Sequence, residues 1–419
     1  MSKILYSKKF FTVFVVVFAC FFLFACGEQG DVSKLEKRVD ELSKKVDELT
    51  KKVDELLGKK VVVEKALKIG SMSPLTGPYA ADGNDIKHGV LTAIQVIEEA
   101  GGIPGYSKIE LFPQDTACDP KQAVAAANKL INLEVAGVIG AYCSSSTIPG
   151  SETLAEEDIP MLTPASTNEK VTDRGLKYMF RLCGRDDDQA PAAAKFMKES
   201  LKAKSIFIVD DKTTYSQGLA EGVNESCKKL GIKVLGHDHV NQGDKDFSAF
   251  LTMAKRSNAD ILYMCLQNHS SGSLMAIQAK RLGLKSTIVS QDAMYHPNFI
   301  KVAKDAAEGV YVTYGYTDKT TASYKSYAKR WKDAGYGDIG AYGTYAYDAA
   351  TVLLNAIKKA RSTKPGEIKA EIMKMDFQGA SKHVRFKPNG DSGSSYIAFK
   401  IKNGEYVPYW DPEKGLLNK

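Results

Sequence analysis

Long hydrophobic runs are scarce in these 419 residues. The longest, Phe10–Ala25, has 16 residues and falls short of the ~20 that a membrane-spanning helix needs, which excludes a polytopic membrane protein. Seven cysteines are too few for a disulfide scaffold, so packing must supply the core. Charge of one sign is also lacking: 57 basic against 50 acidic residues give +7, and +4 once Lys3, Lys8 and Lys9 are set aside with the segment read below as removed. So small an excess leaves no electrostatic footprint for nucleic acid. No Gly-x-Ser-x-Gly elbow, His-Glu-x-x-His helix or Walker loop occurs, so the chain is read as not an enzyme, with no cofactor and no metal. What remains is ordinary globular composition, 44% hydrophobic and 26% charged, in a chain long enough for two or three domains.

The N-terminus sets the compartment. Three lysines, a short apolar run and a small residue before Cys26 read as an export signal over residues 1–25. Leu23-Phe24-Ala25-Cys26-Gly27 is similar to a bacterial lipobox, in which Cys26 is lipidated and becomes the first residue. The alternative is an uncleaved anchor. Both place the rest on the periplasmic or cell-surface side, tethered to a membrane.

A stalk is expected over residues 26–60. Val32, Leu35, Val39, Leu42, Val46, Leu49, Val53 and Leu56 alternate at spacings of three and four. Valine at each a and leucine at each d position suits a parallel two-stranded coiled coil, which would let residues 32–56 self-associate. Asp40–Lys44, Glu41–Lys45, Asp47–Lys51 and Glu48–Lys52 add i,i+4 pairs in the favourable order. The g positions Arg38, Lys45 and Lys52 face only Ser43 and Thr50 at e, so charge specifies a partner weakly. A solvated single helix is the other outcome.

Beyond residue 65, apolar runs of strand length alternate with 3.6-periodic stretches. The strands are Leu67–Met72, Ile109–Phe112, Val135–Ala141, Pro160–Thr163, Ser205–Val209, Ala259–Leu266, Thr287–Ser290 and Val310–Tyr314. The pattern predicts an α/β fold of parallel sheets covered on both faces, in two doubly wound lobes changing over near residue 185. Ligands of such sheets bind outside the carboxyl ends of the strands. There the chain offers hydroxyls (Ser144–Thr147, Ser166, Thr167), Tyr215, and acids (Asp210, Asp211, Asp292). The hydroxyls could serve an anion or merely cap helices. His237-x-His239 is the one close histidine pair, both on one face of a strand, but without a cysteine or carboxylate cluster nearby in sequence it is assigned no metal. Asp186–Asp188 is read as a helix start, and Cys183, Cys227 and Cys265 as buried free thiols.

Six motifs, in order along residues 67–410, carry a family resemblance: Gly-Gly-Ile-Pro-Gly (101–105), Asp-Thr-Ala-Cys-Asp-Pro-Lys-Gln-Ala-Val (115–124), Cys-Ser-Ser-Ser-Thr (143–147), Pro-Ala-Ser-Thr-Asn (164–168), Tyr-Ser-Gln-Gly-Leu-Ala (215–220) and Gly-Asp-Lys-Asp-Phe-Ser (243–248). Together they resemble the leucine/isoleucine/valine-binding proteins of ABC importers. The resemblance implies two Rossmann-like lobes of the type I periplasmic-binding fold, 66–183 plus 315–390 and 184–314 plus 391–411, with ligand between them and a permease as partner. It implies Ser144 and Thr167 on a ligand carboxylate, and the Ala165 carbonyl, Thr167 and Asp292 on its ammonium. Asp292 stands where the family carries glutamate. Cys118 and Cys143 would form a disulfide. Tyr142, Asp82, Tyr215, Gln267 and Tyr342 would shape the side-chain pocket. Asp82 and Gln267 fall where branched-chain binders have aromatics, which leaves a branched-chain amino acid, a more polar one or an amide open as ligand. Asp82 facing solvent is the alternative for that residue. A ligand sensor signalling to a membrane receptor remains the alternative function.

Overall fold

A computed structural model describes residues 32–58 and 65–417. The expected signal and Cys26 lie outside the described residues. Helix α1 (Val32–Gly58) carries the heptad repeat, and its Leu42 and Leu49 are 62% exposed. Lys52 and Glu48 pair at 3.5 Å on its surface. No helix among the described residues is long and apolar enough to cross a membrane.

From residue 65 the chain alternates strand and helix: β1 (Leu67–Ser73), α2 (Ala80–Glu99), β2 (Ile109–Asp115), α3 (Pro120–Asn132), β3 (Val138–Gly140), α4 (Ser144–Glu156), β4 (Met161–Thr163), α5 (Lys170–Asp173) and β5 (Met179–Arg181). Asp119 caps α3 through the Gln122 N–H, and Pro120 at the first turn sacrifices no intrahelical bond. These strands form one parallel sheet in the order β2-β1-β3-β4-β5. Apolar residues on both faces of β1, β3 and β4 force helices onto both sides.

The second series is α6 (Asp186–Glu199), β6 (Ser205–Asp210), α7 (Thr214–Lys229), β7 (Lys233–His239), α8 (Ser248–Ser257), β8 (Ile261–Cys265), α9 (His269–Arg281), β9 (Thr287–Ser290), α10 (Pro297–Ala303) and β10 (Tyr311–Gly315). The chain then returns to the first lobe with α11 (Ala322–Asp333), α12 (Gly343–Ala360) and α13 (Pro365–Ile372), and makes a small ribbon, β11 (Asp376–Gln378) with β12 (His383–Arg385). Helix α12 packs along α2, and Gly89 permits the approach: a Cβ there would sit 2.3 Å from the Gly343 carbonyl oxygen. Strands β13 (Tyr396–Lys402), β14 (Glu405–Asp411) and β15 (Gly415–Leu416) finally add antiparallel to β10, giving the order β15-β14-β13-β10-β9-β8-β6-β7.

Strand order reverses between β1 and β3 in the first sheet, and between β6 and β8 in the second. Each reversal opens a crevice at the carboxyl ends, and the segments following β3, β6 and β8 line it.

The chain crosses between lobes after β5, after β10 and before β13. At this crossing Arg181 is fully buried. Its Nε meets Asp391 Oδ1 at 2.7 Å and its Nη2 donates to Thr172 Oγ1 at 2.7 Å, while Nη1 reaches the carbonyls of Ser166, Thr167 and Asn168 at 3.2, 2.9 and 2.7 Å. Arg185 joins Asp391 Oδ2 at 2.8 Å. The planar guanidinium suits this multiple duty, which a lysine could not perform.

Candidate functional site between the lobes

Helix α4 begins at the mouth of the first crevice. Its N-cap residue, Cys143, supplies no side-chain acceptor, so the positive end of the helix is left for another acceptor. Cys143 is bridged to Cys118, with Cα atoms 5.5 Å apart. The hydroxyls around this turn divide into two groups. Thr163 Oγ1 accepts from the Ala165 and Ser166 N–H groups and donates to the Ala141 carbonyl, and Thr147 Oγ1 lies 2.5 Å from Ser166 Oγ. These are spent on holding the two loops together. Thr167 Oγ1 is buried and bonds neither loop, with only the Asp186 carboxyl beside it, and Ser144 Oγ accepts only a long bond, 3.3 Å, from the Asn168 N–H. Both of these line the cavity between the lobes.

The opposite wall comes from the second lobe. Asp292, two residues past the end of β9, is 2% exposed. Tyr215 OH donates to its Oδ1 at 2.6 Å, with Gln291 Oε1 2.8 Å away, and Tyr342 OH donates to its Oδ2. Burial pushes the Asp292 carboxyl above its ordinary value, and the two tyrosine donors oppose that shift. Gln267, after β8, is held by its N–H on Asp211 Oδ2 at 2.9 Å and crosses the crevice to Cys143 Sγ at 2.6 Å. Tyr142 and Tyr342 meet edge to face, ring centroids 5.6 Å apart. The cavity is therefore lined by Tyr142, Ser144, Ala165, Thr167, Tyr215, Gln267, Asp292, Ala293 and Tyr342.

Eight residues singled out from sequence thus converge, and Ala293 joins them without any sequence signal. Asp82 stands behind them, hydrogen-bonded to Tyr142 of the wall. It lies in the first turn of α2, 3% exposed, and is absent from the cavity wall. It does not face solvent either, because it lies on the inward side of that turn. Its oxygens lie 3.7 Å from His269 Nε2 and 3.8 Å from His296 Nε2, beyond hydrogen-bonding reach. The two imidazoles stack with centroids 4.2 Å apart. Burial raises the Asp82 pKa to about 8 and lowers those of His269 and His296 to about 4 and about 3. This seam of Asp82 from one lobe and two neutral imidazoles from the other had no motif to announce it.

One further expectation holds with an added feature, and another changes. Asp186 does begin α6, but it is buried, and burial pushes its pKa well up while the Thr167 hydroxyl beside it opposes the shift. The pair His237 and His239 does have a carboxylate beside it, Asp210, brought from the neighbouring strand. Cys183, Cys227 and Cys265 are free and buried.

Two lobes closing on a small polar cavity at their strand ends define a class of proteins that bind a solute without transforming it. The family model described as periplasmic binding protein matches residues 66–405, and the chain belongs to that family, whose location is extracytoplasmic. It is 34% identical over 343 residues to the leucine-, isoleucine-, valine-, threonine-, and alanine-binding protein of Pseudomonas aeruginosa, covering 82% of this chain and 89% of that one. It is 36% identical over 344 residues to the Leu/Ile/Val-binding protein BraC3 of Rhizobium johnstonii, covering 81% and 93%. Among solved structures it superposes on the leucine binding protein LivK of Thermotoga maritima with a TM-score of 0.76 and 31% identity, over 82% of this chain and 97% of that one.

Proposed function

We propose that this protein is the lipid-anchored solute-binding component of an ABC importer and that its ligand is a neutral α-amino acid. One observation carries the reading. A buried carboxylate, Asp292, faces a helix N-terminus and two under-used hydroxyls, Ser144 and Thr167, across the cavity between the lobes. Those groups are complementary to the two charges of a zwitterion. Ser144 Oγ and the Thr167 N–H receive the carboxylate; the Ala165 carbonyl, Thr167 Oγ1 and Asp292 receive the ammonium. Charge-assisted bonds of this kind strengthen as water leaves the cleft. The bound cation also supplies what the buried Asp292 lacks.

Because the two charges are held from different lobes, ligand favours the closed form by its higher affinity for it, and a permease would recognise that shape. The relatives' names point to branched-chain or small neutral side chains. Here the wall formed by Tyr142, Tyr215, Gln267 and Tyr342 is more polar than an aliphatic slot, so threonine-like and amide side chains belong in the same screen.

Titration calorimetry of the full-length chain against neutral amino acids tests this. Saturable heat for at least one is expected, together with a loss of affinity of at least 100-fold in Asp292→Ala at unchanged circular dichroism. Unaltered affinity in that variant would end the ammonium assignment.

A further inference from the structure

Strand β7 is the outer edge of the second sheet, and it pairs with β6 in parallel. The register sets His237 beside Ile208 and His239 beside Asp210, so the two histidines and the aspartate share one face of the sheet. Asp210 Oδ2 lies 2.7 Å from His237 Nε2 and 2.8 Å from His239 Nδ1. One side-chain oxygen therefore serves two imidazoles at once. The other oxygen, Oδ1, accepts the Lys212 N–H at 2.8 Å, which fixes the carboxylate plane. Lys212 turns its ammonium to Asn241 at 3.3 Å. Asp210 is fully buried, while the His237 and His239 side chains are 15% and 38% exposed, so the cluster has a rigid floor and an open rim.

We propose that Asp210, His237 and His239 form a binding site for a divalent transition-metal ion of the Zn²⁺ or Ni²⁺ kind. Imidazole nitrogen favours these ions over Mg²⁺ and Ca²⁺, which take oxygen ligands. Three ligand atoms within 4.8 Å of one another can admit one ion at ~2.0–2.2 Å each once the two partly exposed imidazoles swing a few tenths of an ångström away from Asp210, leaving the outer positions to water. Among the described residues neither histidine uses its second ring nitrogen in a hydrogen bond. Each proton now facing Asp210 can therefore pass through solvent to that second nitrogen, and the neutral imidazole then offers its lone pair to the metal. No proton is gained or lost overall. The Lys212 N–H on the carboxylate's other oxygen is the kind of outer support that metal ligands need.

The seam of Asp82, His269 and His296 fails the same test. There His296 Nδ1 already accepts the Asn298 N–H at 3.1 Å, so the Nε2 facing Asp82 carries the hydrogen and has no lone pair to give.

The experiment is calorimetry of the untagged full-length chain with ZnCl₂ and NiCl₂, with MgCl₂ and CaCl₂ as controls. It is repeated on His237→Gln, His239→Gln and Asp210→Asn. One ion per chain for the transition metals and none for the controls is expected, and each substitution should weaken binding at least tenfold. Co²⁺ added to the unaltered chain should give d–d absorption bands that Zn²⁺ abolishes, a readout independent of how the variants fold. No saturable transition-metal binding to the unaltered chain overturns the proposal. So does equal affinity in a folded His237→Gln/His239→Gln double variant. Amino-acid binding is measured on the same samples and stands or falls separately.

Discussion

Asp82→Asn should stabilise the protein, against the usual expectation for a buried polar residue. The carboxyl is 3% exposed and its pKa is raised to about 8, chiefly by burial and then by the neighbouring Asp85 charge. The unfolded chain ionises Asp82 at its ordinary value, 3.8. Between these two values the folded state binds more protons than the unfolded one, so stability falls as pH rises. Each pH unit is worth ~1.4 kcal/mol. From pH 4 to pH 7 this amounts to ~4 kcal/mol as an upper figure for what the carboxyl withholds. Asparagine has the shape of the protonated acid and never ionises.

His269 and His296 titrate in the opposite sense. Their lowered pKa values give stability that is present above the unfolded value and lost as pH falls towards about 4 and about 3. Both proteins share that effect, so it cancels in their difference. Urea unfolding of parent and variant from pH 4 to pH 8 is the assay. The variant's advantage should be near zero at pH 4 and grow towards pH 8. A variant that is less stable at pH 8, or a difference independent of pH, would mean that Asp82 is ionised and paired with protonated imidazoles, and the reasoning would be refuted.

Other outcomes follow from particular contacts. Arg181→Met should cost ~3 kcal/mol, because three loop carbonyls lose their donor and Asp391 is left with Arg185, Thr172 and Asn389. It should also weaken ligand binding, since Thr167 is on that loop; full affinity in calorimetry would deny Arg181 its positioning role. Replacing Cys118 and Cys143 by serine opens a loop of sequence separation 25 and should lower stability by ~3 kcal/mol, read as a denaturation midpoint equal to that of the reduced parent. Leu42→Asp with Leu49→Asp, both on the exposed face of α1, should abolish self-association in sedimentation while leaving ligand affinity unchanged. A parent chain that sediments as a monomer would remove that idea.

Much of the fold was legible because its signals are local. Apolar runs such as Ile261–Cys265 are strands at 0–2% exposure, since burial on both faces leaves no room for alternation. The strands that escaped notice are β5, three residues long, and β11 to β15, which lie outside the βα rhythm and earn their place by pairing with distant partners. The same division holds at the site. Ser144, Thr167, Asp292 and their neighbours were found because each follows a strand end or stands in a motif. Asp82 could not be placed from sequence, because whether an acid at a helix start faces ligand, solvent or another lobe depends on what closes over it.

The sequence by itself determined the order of strands and helices, the heptad seam, and the residues delivered to the crevice, for these depend on periodicity and on neighbours in the chain. Only the tertiary structure decided what those residues meet. His239 lies 29 residues from Asp210 and His269 lies 187 from Asp82 in the chain, yet strand register and lobe closure place their atoms 2.8 and 3.7 Å apart. Desolvation and charge pairing depend on distance in space, and a linear order of side chains does not contain it.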